Sequence, residues 1–475
     1  MNLNYSKRLY LLLLFVIYSA VNLSAQEYTL DGAIETALKN NREIKIAQLE
    51  VQKAEEAVDE AFGYALPSLD VSANFSHFVE KPRIAFPDFE SLLTNAAYGI
   101  LFEENLIPYD ESKLMPIQTK LQSFAQTNNY EASAQLTQII FNSAVFRGIG
   151  ASQIYLNLSQ EQLKAKTAEV VFNVKRAFYG VLLSKQFLGI TESSLKNAEE
   201  NLGNVRSYHE QGLTSDYEMM QAEVMVENIR PKVYELENIY KDALNKLKIV
   251  LGVSQQDAVK VVGNIEYMEH DLPLVDDAIS TARNENYDLR SLKVKRQVDE
   301  EFVALDRAEY WPQLAAFGNF TYAGSSDDWD FENYNSTTVG LSLSINIFKG
   351  GRTANKVEQS LIGLRQTEEQ IKDLEDFLTT EIKNTINNID RVKAQIEAME
   401  RNVELAEKTY DIAETRYKEG TGTQLELKNA NLELKTARTN RLQAVHDYII
   451  AVAKLNKIMG QLGEAESNFI KSNDN

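Results

Sequence analysis

The 475-residue chain has no cysteine, only four histidines and only eight prolines. Missing thiols exclude disulfides, thiolate metal sites and thiol nucleophiles, and four scattered histidines (His77, His209, His270, His446) leave little for imidazole chemistry. Base is short too: 49 Lys and Arg against 69 Asp and Glu leave a formal charge of −20. A surface of that sign holds few phosphates, so nucleic acid is not an expected partner. No proline follows Pro312, and only Pro231 falls between Pro116 and Pro273, which leaves room for long uninterrupted helices. At 44% hydrophobic and 25% charged, the composition is that of a folded chain. No cofactor, metal or catalytic constellation is legible, and an enzyme is not expected.

Long apolar runs are scarce as well. The one present, Leu9 to Ala20, follows Lys7 and Arg8 and precedes Ser24, Ala25 and the polar Gln26. The pattern predicts a secretory signal peptide over residues 1–25, because the run is too short for a membrane helix of about 20 residues. No later stretch resembles a membrane helix, so the remainder is either soluble or crosses a membrane as strands.

What is present is a duplication. At an offset of 245, Asp31, Ala33, Ile34, Asn41, Pro67, Asn74 and Phe75 meet Asp276, Ala278, Ile279, Asn286, Pro312, Asn319 and Phe320 without a gap. At an offset of 208, Gly212, Ala222 and Gly252 meet Gly420, Ala430 and Gly460. The change of offset reflects mostly a segment near residues 79–129 that the second half shortens. The chain reads as two structural repeats, 27–262 and 263–462, with a polar tail over 463–475. Each repeat reads helix, strand, loop, strand, very long helix, tight turn, helix. The long helices are predicted over 147–210 and 352–419 and the returning helices over 215–250 and 423–459. Heptad rows mark them as coiled-coil hairpins: Val174, Val181, Leu188, Leu195 and Leu202 in one, Ile382, Ile389, Ile396, Val403 and Tyr410 in the other.

Four strands are expected near 68–78, 130–141, 313–323 and 337–348. Leu69, Val71, Ala73 and Phe75 alternate with Asp70, Ser72, Asn74 and Ser76, and Val339, Leu341, Leu343, Ile345 and Ile347 alternate with small polar residues. Such strands fit one face of a soluble core, and they also fit a membrane β-barrel. Four strands cannot close a barrel in lipid, so that reading requires oligomerisation, either eight strands from two chains or twelve from three. The competing reading is a secreted periplasmic or surface coiled-coil scaffold or adhesin without a pore.

The order of motifs, twice over, resembles the TolC-like outer membrane efflux proteins from about Tyr28 to Gly460. The marks are Leu30-Asp31-Gly32-Ala33-Ile34, the corner Leu66-Pro67-Ser68-Leu69, the corner Ile347-Phe348-Lys349-Gly350-Gly351-Arg352, and the turns Gly212-Leu213-Thr214-Ser215 and Gly420-Thr421-Gly422-Thr423. The resemblance implies a mainly α chain whose four strands close, in a homotrimer, as a 12-stranded barrel continued by an α-helical tunnel. It further implies a place in the outer membrane bilayer of a Gram-negative bacterium, with the helices in the periplasm. Its implied partners are a periplasmic adaptor (membrane fusion) protein and an inner membrane transporter, and its implied role is export without catalysis.

The same resemblance assigns the two turns to adaptor docking and places gate candidates at Tyr417, Glu218, Glu426 and Asn429. The family's gate arginine is matched by Gly422, so its salt-bridge latch is not expected here. Ser215 with Glu218 and Thr423 with Glu426 also read as capping boxes, which gives both glutamates a structural role beside a pore-facing one. Gly212 and Gly420 suit positive φ in the turns, and Tyr410 and Tyr417 fit packing as well as a gate. The segment 79–129 reads as a loop that either caps a barrel or is a surface elaboration. Asp327, Asp328 and Asp330 around Trp329 read as a solvated acidic turn or a weak cation site.

Overall fold

The structure, a computed structural model, describes residues 26–461 and Phe469. The expected signal peptide and the tail over 463–475, Phe469 apart, lie outside the described residues. Two compact units emerge, and neither follows the repeat boundary. One takes the chain up to Val58, Gly150–Val303 and Val357 onward; the other takes Asp59–Ile149 and Ala304–Lys356. Each unit therefore draws on both copies.

The first unit is helical. Strand β1 (Gln26–Tyr28) leads into α1 (Leu30–Asn40) and α2 (Arg42–Gly63), where the sequence suggested a single helix. The break falls at Asn41, whose Oδ1 accepts from the backbone N–H groups of Glu43 (2.8 Å) and Ile44 (3.3 Å) and so caps α2. The second copy repeats this break at Asn286, between α6 (Val275–Glu285) and α7 (Tyr287–Ala308). The long helices are α4 (Ser143–Glu210) and α8 (Arg352–Lys418), of 68 and 67 residues. At 1.5 Å per residue each is about 100 Å long. They return as α5 (Asp216–Leu251) and α9 (Gln424–Ile458). The unpatterned strand β6 (Val259–Val261) pairs in parallel with β1.

Burial divides the heptad rows. Val174, Val181, Ile382, Ile389 and Ile396 are buried in a core completed by Leu247, Leu251, Leu289, Tyr448 and Leu455. Further along α4 the buried row changes to Ser184, Thr191, Ala198 and Val205, and the larger Leu188, Leu195 and Leu202 stay half-buried. Val403 and Tyr410 are half-buried on α8. Glu199 with Arg230 (3.3 Å) joins the two helices of the first hairpin, and Glu407 with Arg438 (2.8 Å) joins those of the second at the matching position.

The second unit holds a four-stranded antiparallel sheet in the order β2 (Ser68–His77), β5 (Asn128–Asn142), β7 (Gln313–Ser326), β8 (Glu332–Ser344). The last strand starts earlier and stops earlier than expected, so Ile345 and Ile347 lie beyond it. Opposed residues share a face. One face runs Leu69–Leu136–Gly318–Val339 and Val71–Ala134–Phe320–Thr337 across the four strands. The other runs Asp70–Gln135–Asn319–Thr338 and Ser72–Ser133–Thr321–Ser336, where the two serine hydroxyls meet at 2.9 Å. Leu69, Val71, Val339 and Leu341 are exposed on the apolar face. Aromatic rings sit at both ends: Phe75, Tyr130, Tyr322 and Trp329 at one, Phe62, Tyr64, Phe146, Tyr310 and Trp311 at the other.

The segment 79–129 is more than a loop. It forms a short hairpin, β3 (Ile84–Pro87) with β4 (Thr119–Gln122), and a helix α3 (Phe89–Glu103). Phe86 packs edge-on to Phe124 at 5.4 Å. Proline-rich flanks hid this order from a reading based on periodicity.

Candidate functional site

The two hairpin turns are built alike. At the first, α4 ends in a Schellman-type turn: Gly212 N–H donates to His209 O (2.8 Å) and Leu213 N–H to Tyr208 O (2.9 Å), with Gly212 at φ +72°. Ser215 then caps α5. Its hydroxyl accepts from Glu218 N–H at 3.3 Å, and Glu218 Oε2 accepts from Ser215 N–H at 3.2 Å and from the Thr214 hydroxyl. These bonds, the Thr214 hydroxyl first, lower the Glu218 pKa from its ordinary value. His209 Nε2 and Asp216 Oδ1 lie 2.6 Å apart across the same turn.

At the second turn Gly420 has φ +72°, and Thr421 and Gly422 both donate N–H to Arg416 O at 2.9 Å. A Cβ on Gly422 would lie 3.0 Å from Arg416 Cβ, so only glycine fits without a shift. Thr423 caps α9 through Glu426 N–H (3.2 Å), and Glu426 Oε2 accepts from Thr423 N–H at 3.4 Å. Both capping boxes are therefore formed.

A residue that the sequence reading passed over completes this turn. Arg416 Nη1 stands 3.5 Å from Glu426 Oε2, and its Nη2 donates to Thr421 O at 3.2 Å. The carboxylate at the second tip thus has an arginine, supplied from the incoming helix rather than from the turn. Ten positions separate the pair, a spacing outside any helical period, so only a turn geometry could have signalled it. Tyr417 is half-buried, and burial first, then the negative charge of Glu218, raises its hydroxyl pKa. The gate candidates therefore divide: Tyr417 lies within electrostatic reach of Glu218, Glu426 is joined to Arg416, and Asn429 is exposed one turn further along α9.

The tips carry exposed apolar side chains beside these polar groups. Leu213 is 70% exposed, and Tyr217, Met220, Val224, Leu425 and Leu432 are exposed along the first turns of α5 and α9. Among the described residues no group of His, Asp and Glu has metal-holding geometry. Asp327 serves instead as a clamp: its Oδ1 accepts from Lys81 Nζ at 2.5 Å and from the N–H and hydroxyl of Thr127 at 2.8 Å. It ties both stems of the 79–129 insertion to the β7–β8 turn. Among the described residues no helix is long and apolar enough to cross a membrane.

A family model described as outer membrane efflux protein matches residues 117–253 and 278–461. The chain is 20% identical over 281 residues to the outer membrane protein TolC of Salmonella enteritidis, covering 57% of each chain. It is 21% identical over 352 residues to the alkaline protease secretion protein AprF of Pseudomonas aeruginosa, covering 73% of each. The matched part thus spans little more than half the length of the TolC relative. In fold it is similar to the Campylobacter jejuni CmeC outer membrane channel, with a TM-score of 0.72 at 18% identity over 94% of this chain and 89% of that one.

Proposed function

The chain belongs to the outer membrane efflux protein family, a family of the Gram-negative outer membrane, and from that premise we propose that it is a homotrimeric export channel. Three four-stranded sheets close one twelve-stranded barrel in the bilayer, and the helical hairpins continue the conduit into the periplasm. The observation that carries this is the sheet. Its apolar face is exposed between two sets of aromatic rings, and among the described residues its outer strands β2 and β8 have one side without a partner strand. In lipid such edges must be paired, and further copies of the same chain supply the partners.

The turns Gly212–Ser215 and Gly420–Thr423 then receive the helical ends of a periplasmic adaptor, which hands on cargo from an inner membrane transporter. Small residues let another helix approach closely, and the exposed Leu213, Tyr217 and Leu425 offer apolar contact. Tyr417, Glu218, Glu426 and Asn429 line the narrow entrance, where the Arg416–Glu426 pair holds the second turn in one arrangement.

Extraction and mass measurement test the reading. The chain should resist carbonate, come out of membranes only with detergent, and run there as a trimer. A stable monomer in aqueous buffer would defeat both the barrel and the assembly and would favour a soluble scaffold.

A further inference from the structure

Helix α3 of the 79–129 insertion has two unlike sides. On one, Ser91 is buried and its hydroxyl donates to Asp88 O at 2.7 Å. Asn95 Nδ2 donates to Met115 O and its Oδ1 accepts from Met115 N–H, both at 2.7 Å. Lys113 Nζ lies 5.8 Å from the centre of the Tyr98 ring, and the Phe102 and Tyr109 rings stand 5.1 Å apart. The segment 105–118 thus covers the row Ser91, Asn95, Tyr98 and Phe102. The opposite row, Phe89, Leu93, Ala96, Ala97 and Ile100, has the same helical spacing and is exposed throughout, Leu93 at 60% and Ile100 at 62%. An apolar helical stripe of this kind is ordinarily buried against a partner.

We propose that the stripe packs against the same stripe of the neighbouring copies, so that three insertions together cover the mouth of the barrel away from the long helices. The inference rests on the pore reading above. Ser68 opens β2 opposite Thr137, six residues before α4 begins, and the insertion follows His77 at the other end of the same strand. It therefore stands at the end of the sheet remote from α4. The Asp327 clamp fixes both of its stems to the β7–β8 turn. Because β2 is an edge strand, the insertion rises at the boundary where the next sheet joins, and a ring of three sheets brings three stripes to one rim. The dimensions agree. Twelve tilted strands about 4.8 Å apart enclose a mouth about 25 Å across, and α3 is about 22 Å long.

A lipid surface fits the stripe less well. Helices that lie in a headgroup layer carry lysine or arginine along their polar side, whereas α3 has neither and its two charges are Glu90 and Glu103. Ala96 and Ala97 in the middle of the stripe leave room for another helix to approach closely.

A chain without cysteine gives a clean test. Leu93→Cys, Ala97→Cys and Ile100→Cys, each alone in the full-length protein in detergent, are treated with a short bismaleimide, with the exposed Glu111→Cys on the covered side as control. Covalent dimers should form at the stripe positions and not at Glu111→Cys. A second measurement uses Thr338→Cys, on the polar face of β8, and a bulky polyethylene glycol maleimide added to intact cells. Labelling should be slow, and several-fold faster once Leu93→Glu/Ala97→Glu is added, since two like charges per copy drive the stripes apart. Trimers that yield no cross-link along the stripe, or a labelling rate that the glutamates leave unchanged, overturn the proposal. Modification of the stripe by a photoactivatable phospholipid overturns it too, in favour of a lipid surface. A chain that runs as a monomer in detergent overturns the pore reading instead, which keeps the two failures apart.

Discussion

Asn41 and Asn286 occupy matching breaks in the two copies and donate to matching carbonyls, Asn41 Nδ2 to Val250 O at 2.7 Å and Asn286 Nδ2 to Ile458 O at 2.9 Å. Two residues beyond each carbonyl stands a glycine at φ +72°, Gly252 and Gly460. A Cβ there would fall 2.3 Å from Asn40 O in the first copy and 2.1 Å from Glu285 O in the second. Each short helical pair is thus pinned to the end of a returning helix by an asparagine that reaches in and a glycine that makes room.

Gly460→Ala should therefore destabilise the chain by on the order of 3 kcal/mol, since it meets both backbone crowding and a left-handed conformation. Gly212→Ala has the same φ but nothing within 4 Å of its added methyl, and should cost only about 1 kcal/mol. Thermal unfolding of the two variants compares them. Equal losses would mean that the close approach at Gly460 contributes nothing.

Glu309 gives a pH signature. The Thr353 hydroxyl donates to it at 3.2 Å, and Lys356 and Lys349 donate to it at 3.0 and 3.3 Å; the two lysines, Lys356 first, bring its pKa from 4.5 to about 2. A carboxylate depressed in the fold stabilises it above its ordinary pKa, and that contribution drains away as the pH falls through the folded value. The stability gap between the wild type and Glu309→Gln should be full above pH 4.5 and close as the pH approaches about 2. A gap that stays constant over this range would refute the assignment of the clasp to the ionised form.

Asp327→Ala should release the stems of the insertion without altering the sheet register. The observable is cleavage: trypsin should cut after Arg83 faster in the folded variant than in the wild type. Unchanged cleavage would show that the β3–β4 hairpin and its aromatic packing hold the insertion unaided.

Bulky replacements at Gly212 and Gly420 should abolish export while assembled protein still reaches the membrane, because the added side chains stand in open space at the turns proposed to receive an adaptor. Intact export by Gly212→Trp/Gly420→Trp would move the docking surface elsewhere.

Much of this was legible in the sequence where geometry forces identity or period. Asn41 with Asn286 and Gly252 with Gly460 stand out in the self-match because each pair fills the same packed junction. The capping boxes were readable because Ser215 with Glu218 and Thr423 with Glu426 are local by nature. Arg416 was missed because its pairing with Glu426 depends on how a turn folds back. Helix α3 escaped because an apolar run flanked by Pro87 and Pro108 carries no clear period. The shift of the buried row on α4 to Thr191, Ala198 and Val205 likewise depends on neighbouring helices, which periodicity alone does not place.

The unpaired sides of β2 and β8 also bear on timing. If the sheet closes in lipid with other copies, as proposed, a lone chain cannot wait in the hydrocarbon layer with two rows of unsatisfied backbone groups, so closure and insertion become one concerted event whose rate climbs with the local supply of chains. Before that event these rows are the most adhesive part of the molecule. In the proposed ring, a subunit crippled along β8 would still present a sound β2, join its neighbours and leave the ring open. In a mixed population a minority of such chains would then spoil most assemblies, and genetic dominance would be a consequence of strand order.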